Sequence, residues 1–472
     1  MAPFALVLGM LIVWTFGYMV VAVLIHEDDR ARTGGVSLAI GTGWFVGAFL
    51  VTLWMRVLSL VHVPFGAVSI GAPILLLAIA LAWLHRKHWS ARSWPWRSMF
   101  VRTELPQWQR VAWGVLLAWL VLRFGLLLGE IVWRPLYPWD AWTQWSTKAR
   151  VWFELKRMAP FVDASQWLAA TNADVYFDAA PHYPGTVPLL QVLSATLLGE
   201  WNDALINLPW WITGVAFAFA MYGILTAIGF GALPALVGTW LVVSLPILDV
   251  HVALAGYADL AMCTYLTLAA LFALRAVQSR RIGDIVLAAT LFAACAVIKN
   301  PGKVWLVTLL PGLIAAAWPR YAARIAGISL GAALGLMLLL AQTEPVILGY
   351  RLHLEFDMPW SALAEAYFAF GNWHLLWYGC VAIAILGWRQ LLSPAVAPYT
   401  LFVAAGLLFL MFGFAFTNAR LWVEDQSTVN RATLHLAPLA IVWMLVAFRA
   451  WSQARDARTP EAAVTPAPAS AA

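Results

Sequence analysis

The chain has 472 residues, of which 63% are hydrophobic and only 11% are charged, and its mean hydropathy is +0.79. Soluble globular proteins carry about 25% charged residues, so this composition excludes a set of water-soluble domains and predicts a membrane protein. The net charge of +6 does not indicate nucleic acid as a partner, because the basic residues fall in short loops between apolar runs.

Cys263, Cys295 and Cys380 all lie inside apolar runs, at spacings that fit neither a disulfide framework nor a zinc site. The first apolar run, residues 4–25, has no basic residue before it and no clean cleavage site after it. We therefore expect it to be a retained span rather than a signal peptide.

Apolar runs of a length typical of membrane helices continue along the chain. The fold class predicted from them is all-α, a polytopic transmembrane helix bundle. We predict roughly 13 spans, near residues 4–25, 37–60, 66–84, 111–132, 204–228, 232–248, 256–277, 283–298, 304–318, 325–342, 372–388, 395–416 and 433–449. Several of these runs are shorter than about 20 residues, so broken helices are expected among them.

The connecting loops alternate in charge. Basic residues gather in every second connector, namely Arg30, Arg32, Arg86, Lys87, Arg92, Arg97, Arg102, Arg110, Arg275, Arg280, Arg281, Arg320, Arg324, Arg389, Arg449, Arg455 and Arg458. The positive-inside rule makes that face cytoplasmic, which places the N-terminus outside and the C-terminus inside. The longest stretch on the opposite face is residues 133–203, which is rich in Trp, Tyr and Pro and is expected to carry interfacial helices.

This topology divides the chain into three parts. Residues 1–110 hold three spans and a basic cytoplasmic loop. Residues 111–450 form the main transmembrane module, including the external loop 133–203. Residues 451–472 are expected to form a disordered cytoplasmic tail, and no internal repeat is evident.

Asp140 stands in the external loop beside Trp139, close to Trp142 and Trp145. A carboxylate can accept a proton, and the faces of tryptophan rings can stack on sugar rings. The run therefore points to carbohydrate chemistry at a membrane surface. The alternative is an aromatic anchor at the lipid–water boundary, with Asp140 capping a helix.

Residues 140–158 are predicted to form an amphipathic helix in the outer interface. Its tryptophans and one alanine recur at helical spacing, at Trp142, Trp145, Ala149 and Trp152. Lys148 lies on another face of the same helix. Later in the loop, His182 and Tyr183 precede an apolar segment at 187–198 that is too short to span comfortably. We expect a re-entrant or surface helix there, or alternatively a proline-rich turn with an interfacial tyrosine.

Two further motifs lie at outer ends of spans. Asp259 follows Gly256 and Tyr257 at the start of a span, where an ionisable residue is a functional hypothesis and an exposed helix cap is the alternative. Lys299 and Lys303 flank Asn-Pro-Gly, an arrangement suited to a phosphate. The alternative is snorkelling of both lysines to lipid headgroups.

The last outer-face motif contains Arg431 and, one helical turn later, His435. Arg431 could hold a phosphate through two parallel hydrogen bonds, or it could be an ordinary interfacial arginine. Arg123 and Glu130 lie within a span and are expected to be structural, paired within or between helices, because unpaired charge there is costly.

In order and sidedness these motifs resemble those of the GT-C class of integral-membrane glycosyltransferases, especially the bacterial branch related to protein mannosyltransferases and lipid A aminoarabinose transferases. The resemblance covers roughly residues 110–450. It is carried by Trp139-Asp140-Ala141-Trp142, His182-Tyr183-Pro184, Gly256-Tyr257-Ala258-Asp259, Lys299-Asn300-Pro301-Gly302 and Asn430-Arg431. It implies a GT-C-like bundle, a polyprenyl-phosphate-linked sugar donor and inverting transfer on the external, periplasmic face of a bacterial inner membrane.

By position, the resemblance implies that Asp140 is the general base and that Lys299 and Arg431 hold the leaving phosphate. The other candidate substrate-binding residues are Trp139, Trp142, Lys148, His182, Tyr183, Asp259 and His435. The implied partners are the lipid-linked donor, membrane lipids and an acceptor that is a glycan, a lipid or a protein. Neither the sugar nor the length of the lipid chain is specified.

Two features depart from the family. Its aspartate normally follows the first span, whereas three spans come earlier here, as an N-terminal addition or through a shifted alignment. Many members also carry paired acids in this loop, whereas Asp140 is flanked by tryptophans, so we predict no metal and no other cofactor. The rival interpretations are a transporter or flippase for lipid-linked sugars, an O-antigen ligase or polymerase, and a non-catalytic subunit. The absence of a repeat and the outer-face charges favour the enzyme.

Overall fold

The computed structural model describes residues 2–86, 105–172, 174–341 and 356–457, together with residues 343, 345–347 and 350–352. The first half of the chain forms helices α1 (Ala2–Leu24), α2 (Glu27–Ala31), α3 (Gly35–Leu60), α4 (Ala67–His85), α5 (Gln107–Trp133), the π-helical turn Ala141–Trp145, α6 (Ser146–Leu155), α7 (Ala164–Ala169), α8 (Thr186–Leu198) and α9 (Leu208–Ala227).

The second half is also mainly helical. Its helices are α10 (Ala232–Val243), α11 (Pro246–Ala253), α12 (Asp259–Ser279), α13 (Ile282–Ile298), α14 (Gly302–Thr308), α15 (Leu310–Ala317), α16 (Ala322–Ala341), α17 (Trp360–Ala364), α18 (Leu376–Leu386), α19 (Ala397–Phe416), α20 (Leu421–Glu424), α21 (Val429–Leu434) and α22 (Ala437–Asp456). Short 3-10 or π turns occupy Leu205–Asn207, Pro319–Tyr321, Glu365–Ala369, Gly371–Trp373 and Asn418–Arg420. Among the described residues, strands form two short pairs, β1 (Phe161–Val162) with β2 (Tyr176–Phe177) and β3 (Val346–Ile347) with β4 (Tyr350–Arg351).

The prediction of an all-α membrane bundle is confirmed. In the described part of the chain, nine helices are long and apolar enough to cross a membrane. α10 and α11 would make a tenth span, bent by 63° at the break between them. All the predicted runs fall on helices, but α13, α14–α15 and α18 are short. The count of 13 spans and the GT-C architecture therefore stay predictions.

α3 is the most deeply buried of the long helices, with 83% of its apolar window inside the protein. Glycines let it approach its neighbours closely: a Cβ on Gly17 of α1 would lie 2.0 Å from the carbonyl oxygen of Gly43, and one on Gly41 would lie 2.2 Å from the nitrogen of Ala220 in α9. Small residues commonly bring membrane helices together in this way. Tyr265 of α12 also donates a hydrogen bond to the carbonyl of Phe45, at 2.6 Å. The N-terminal spans thus share one core with the rest of the bundle.

The loops collect at two ends of the bundle. At one end, Asp29 accepts hydrogen bonds from Arg275 at 3.0 Å and from Arg281 at 2.8 Å. This joins two of the connectors whose positive charge predicts a cytoplasmic position. The predicted basic residues Lys87, Arg92, Arg97 and Arg102 lie outside the described residues, and so do Arg458 and the remainder of the predicted tail.

The last helix continues further than the apolar pattern indicates. α22 runs to Asp456, so residues 451–456 of the predicted disordered tail are helical. Side chains on its exposed surface support these turns: the ring centroid of Trp451 lies 5.7 Å from that of Phe448, and the guanidinium of Arg455 lies 5.2 Å from the Trp451 ring.

The long loop between α5 and α9 has structure of its own. The predicted helix 140–158 is present from Ala141 to Leu155, and it ends where Lys156 adopts a left-handed φ of 54°. The short apolar segment near 187–198 is also helical, as α8. Both helices pack into the core through residues such as Trp152 and Leu189, so the loop forms part of the folded body.

Candidate functional site

Asp259 is the first residue of α12, and its carboxylate is only 1% exposed. Three side chains surround this carboxylate and form hydrogen bonds with it. Its Oδ1 accepts a hydrogen bond from Nζ of Lys299 at 2.6 Å and lies 3.0 Å from Nε2 of His435. Its Oδ2 accepts from Nε and Nη2 of Arg431 at 3.1 and 2.9 Å. A buried carboxylate is stable only when its charge is matched and its lone pairs are used. Asp259 is therefore the centre around which the cluster is assembled.

Arg431 in α21 connects Asp259 to the external loop. Its Nη2 also lies 2.5 Å from Oδ2 of Asp140, and its guanidinium carbon lies 4.2 Å from the ring centroid of Tyr257. Burial on its own would lower the pKa of Arg431, but the two carboxylates outweigh it and raise that pKa above its ordinary value. Arg431 is therefore a fixed positive charge shared by Asp140 and Asp259.

His435 closes the buried side of the cluster between α21 and α22. Its Nδ1 accepts a hydrogen bond from the indole N–H of Trp305 at 3.1 Å. Because an indole can only donate, Nδ1 carries no proton and Nε2–H donates to Asp259. Burial lowers the pKa of His435 against the opposing effect of Asp259. The hydrogen bonds and the burial both indicate a neutral imidazole.

Two local features bring Asp140 to this cluster, the π-helical turn that follows it and the glycine at position 256 before α12. Asp140 precedes the π-helical turn at Ala141 but makes no side-chain cap hydrogen bond, so its carboxylate is committed to Arg431 rather than to helix capping. Gly256 has a φ of +110°, and a Cβ there would lie 2.5 Å from the Cβ of Ala141. A glycine at 256 therefore allows the Asp140 segment to lie directly against the start of α12.

The cluster is open to the surface along one edge. The side chain of Asp140 is 24% exposed, that of Arg431 21% and that of Lys299 14%. The hydrogen bond to Asp259 uses one of the three N–H donors of Lys299. The carboxylate of Asp140, which can accept a proton, and the amino group of Lys299, which can donate hydrogen bonds, thus lie at one edge that a ligand can reach.

Two of the predicted aromatic residues flank that edge. Trp139 is 68% exposed and Trp142 46%, and their rings meet edge to face with centroids 5.0 Å apart. Trp145, in contrast, is buried in the core, with its ring 5.3 Å from that of Tyr183. Only the first two tryptophans are available to a sugar or to lipid.

Lys148 and Tyr183 belong to a separate cluster inside the external loop. Nζ of Lys148 donates to the carbonyl of Ala180 at 2.7 Å and lies 3.4 Å from Oδ1 of the fully buried Asp178. Burial lowers the pKa of Lys148 and raises that of Asp178, while their mutual attraction opposes both shifts. This pair joins α6 to the segment before α8. His182 lies at the surface nearby, so these three candidates are not brought to Asp259.

Sequence reasoning missed Trp305 and Tyr257 as parts of the site. Tyr257 stands within the motif that ends in Asp259, and Trp305 follows Lys299 by less than two helical turns; aromatic residues beside clustered charges were the available signal. The span residues are paired as expected: Arg123 pairs with Asp249 of α11, and Glu130 accepts a hydrogen bond at 2.7 Å from Arg134, the residue that follows the same helix.

The cluster carries two carboxylates, two cations and a neutral histidine, so its formal charges balance. Within the described ranges, no three His, Cys, Asp or Glu side chains come together in a way that could hold a metal ion. The chemistry that these residues can support is proton acceptance at the exposed Asp140 and electrostatic stabilisation of an anion by Lys299 and Arg431. In comparisons with known proteins, no family model, no curated protein and no solved structure matches this chain.

Proposed function

We propose that this protein is a membrane glycosyltransferase that moves a sugar from a polyprenyl-phosphate-linked donor to an acceptor hydroxyl. Asp140 is the general base, and Lys299 and Arg431 are the cations on the phosphate side. The reaction takes place on the external face of a bacterial inner membrane. The acceptor is a glycan, a lipid or a protein.

One observation carries this proposal. Asp140, Asp259, Lys299 and Arg431 come from four separate stretches of the chain and meet within hydrogen-bonding distance. A membrane protein gains little from placing so many charges at one end unless they act on something. The flanking Trp139 and Trp142 supply aromatic surface for a sugar.

In the proposed reaction, the acceptor oxygen attacks the anomeric carbon of the sugar from the face opposite the phosphate. Its proton passes to the carboxylate of Asp140, and the bond between the anomeric carbon and the phosphate oxygen breaks. Polyprenyl phosphate leaves with the electron pair, and its growing negative charge is stabilised by Lys299 and Arg431. Asp140 and Arg431 are in direct contact, so the base must exchange part of this ion pair for the acceptor hydroxyl before the proton moves.

The test uses the purified full-length protein in proteoliposomes with a panel of polyprenyl-phosphate-linked sugars. Release of polyprenyl phosphate is measured with cell-envelope extracts as the source of acceptor. Asp140→Asn is expected to lower turnover by about 10²-fold or more, the range typical of a lost general base, while donor binding is kept. Full turnover in this variant would remove Asp140 from the base role, and the matched variant Asp163→Asn in the same loop should stay active.

A transporter or flippase for lipid-linked sugars is the second candidate, and one observation favours it. The span formed by α10 and α11 is broken by a 63° bend, and the Asp249 of its second half pairs with Arg123 of α5. Broken helices with charged residues are common in transporters. Movement of a fluorescent lipid-linked sugar across proteoliposomes, unchanged by Asp140→Asn, would support transport instead of transfer.

A further inference from the structure

Arg56 lies four residues before the end of α3, about 6 Å below that end at 1.5 Å per residue. Its Nη2 donates to Oγ1 of Thr186 at 3.1 Å, and this hydroxyl donates to the carbonyl of Val297 at 2.7 Å. Val297 is two residues before Lys299. A short chain of hydrogen bonds thus places Arg56 at the end of the bundle that holds the carboxylate cluster.

Within the described residues, no opposite charge matches that of Arg56. Among the described residues, no carboxylate lies within ion-pair distance of Arg56, and its buried Nε has no hydrogen-bond partner. Arginines within membrane spans are almost always paired. Two other arginines within spans are paired in this way, Arg123 with Asp249 and Arg275 with Asp29.

A second source of positive potential meets Arg56 at the same place. Thr186 is the first residue of α8, a helix of 13 residues, and the N-terminus of a helix carries partial positive charge and N–H groups without partners in the helix. Gly185 precedes it and offers no side chain as a cap. A cation at the positive end of a helix is unfavourable on its own, whereas an anion between them would be held by both.

We infer that Arg56 and the N-terminus of α8 form a binding site for a phosphate group at headgroup depth. Arg431 is already engaged by two carboxylates, whereas Arg56 has donors to spare. Two sources offer this chemistry, the phosphate of the polyprenyl-linked donor and the headgroup of a membrane phospholipid. The first source rests on the proposed function, and it would place the donor phosphate beside Lys299.

The site is tested by lipid binding rather than by turnover. The full-length protein in detergent is titrated with undecaprenyl phosphate and, separately, with phosphatidylglycerol, and bound lipid is counted by native mass spectrometry. Arg56→Gln should weaken phosphate binding by about tenfold or more, since hydrogen bonds to charged groups are worth that much. Arg56→Lys keeps the positive charge, so its affinity for the phosphate should fall less than that of Arg56→Gln. Arg320 is an exposed arginine at the opposite end of the bundle, so Arg320→Gln should leave the binding of both lipids unchanged.

Each result decides the question. Selective loss of undecaprenyl phosphate assigns the site to the donor, and selective loss of phosphatidylglycerol assigns it to a structural phospholipid. Unchanged binding of both lipids in Arg56→Gln overturns the inference. If that variant is not monodisperse, Thr186→Val and Arg56→Lys are compared in the same way. The proposed function is judged separately, because Asp140→Asn should lower turnover by about 10²-fold or more while both lipids still bind.

Discussion

Nη2 of Arg431 lies 2.5 Å from Oδ2 of Asp140 and thereby fastens the external loop to the segment before the last helix. The same nitrogen lies 2.9 Å from Oδ2 of Asp259. One guanidinium therefore holds two carboxylates, one of them 24% exposed and the other 1% exposed. The more exposed acid can meet a ligand and the buried acid supports the cluster, so their removal should have different consequences.

Asp259→Asn is expected to destabilise the protein by about 3–5 kcal/mol, the cost of removing one partner from a buried ion pair. The substitution leaves Lys299 and Arg431 facing each other without a full counter-charge. Thermal unfolding in detergent, followed by size-exclusion fluorescence, measures the effect as a lower melting temperature.

Asp140→Asn is the matched control for that experiment. Its carboxylate is 24% exposed, against 1% for Asp259, so water can replace part of the lost ion pair and the melting temperature should fall less than in Asp259→Asn. Equal destabilisation by the two substitutions would contradict the division into a supporting acid and an exposed acid.

Gly256→Ala should displace the Asp140 segment. The added Cβ would lie 2.5 Å from that of Ala141, in a backbone conformation with φ of +110°. Left-handed strain for a residue with a side chain costs about 1–3 kcal/mol, and the steric contact adds to it. The expected result is lower stability together with a loss of protection of residues 137–145 in hydrogen exchange.

Gly199→Ala separates the two causes. Gly199 has φ of +80°, but a Cβ there meets nothing within 4 Å, so only the backbone strain applies. If both alanine variants lose the same stability, the contact with Ala141 has no energetic weight and Gly256 is needed for its backbone conformation alone.

The helices could be predicted from the sequence because apolar runs report burial in lipid directly. Broken helices were expected but were not located: residues 232–248 were predicted as one span, whereas this segment is bent by 63° between α10 and α11, directly before Pro246. The continuation of α22 to Asp456 was missed because polar residues at the end of a helix give no apolar signal.

Five members of the cluster were predicted from the sequence, but their contacts were not. Grouping Asp140, Asp259, Lys299, Arg431 and His435 at one end required only the alternation of loops. The resemblance implies that Asp140 and Arg431 act on the same ligand, but not that the two side chains pair directly, as they do in the structure. Trp305 was missed although it follows Lys299 closely in the sequence, because its hydrogen bond to His435 joins distant parts of the chain.

His435 should make the stability of the protein depend on pH. Burial holds its pKa below the ordinary value of 6.5, so below about pH 6.5 the unfolded chain takes up a proton that the folded protein refuses. Stability is therefore full above this pH and falls as the pH drops towards the folded pKa, by up to about 1.4 kcal/mol per pH unit. Melting temperatures between pH 5 and 8 measure the slope. His435→Gln removes this titration, and an unchanged slope in that variant would assign the pH dependence to other groups.

The sidedness of the bundle can be tested with a pair of cysteine substitutions at the two ends of α14–α15. Lys303 and Arg320 are both exposed, and the three native cysteines are buried, which gives a low background of labelling. If the basic connectors are cytoplasmic, a membrane-impermeant maleimide added to spheroplasts should label Lys303→Cys and leave Arg320→Cys unlabelled until the membrane is opened. The reverse pattern would place Asp140 and its cluster inside the cell, where a donor carried on a polyprenyl phosphate would have to be used before it crosses the membrane. Labelling of both positions in intact spheroplasts would mean that α14 and α15 do not cross the bilayer. The α14–α15 segment would then be re-entrant, with both of its ends on the side of Lys299.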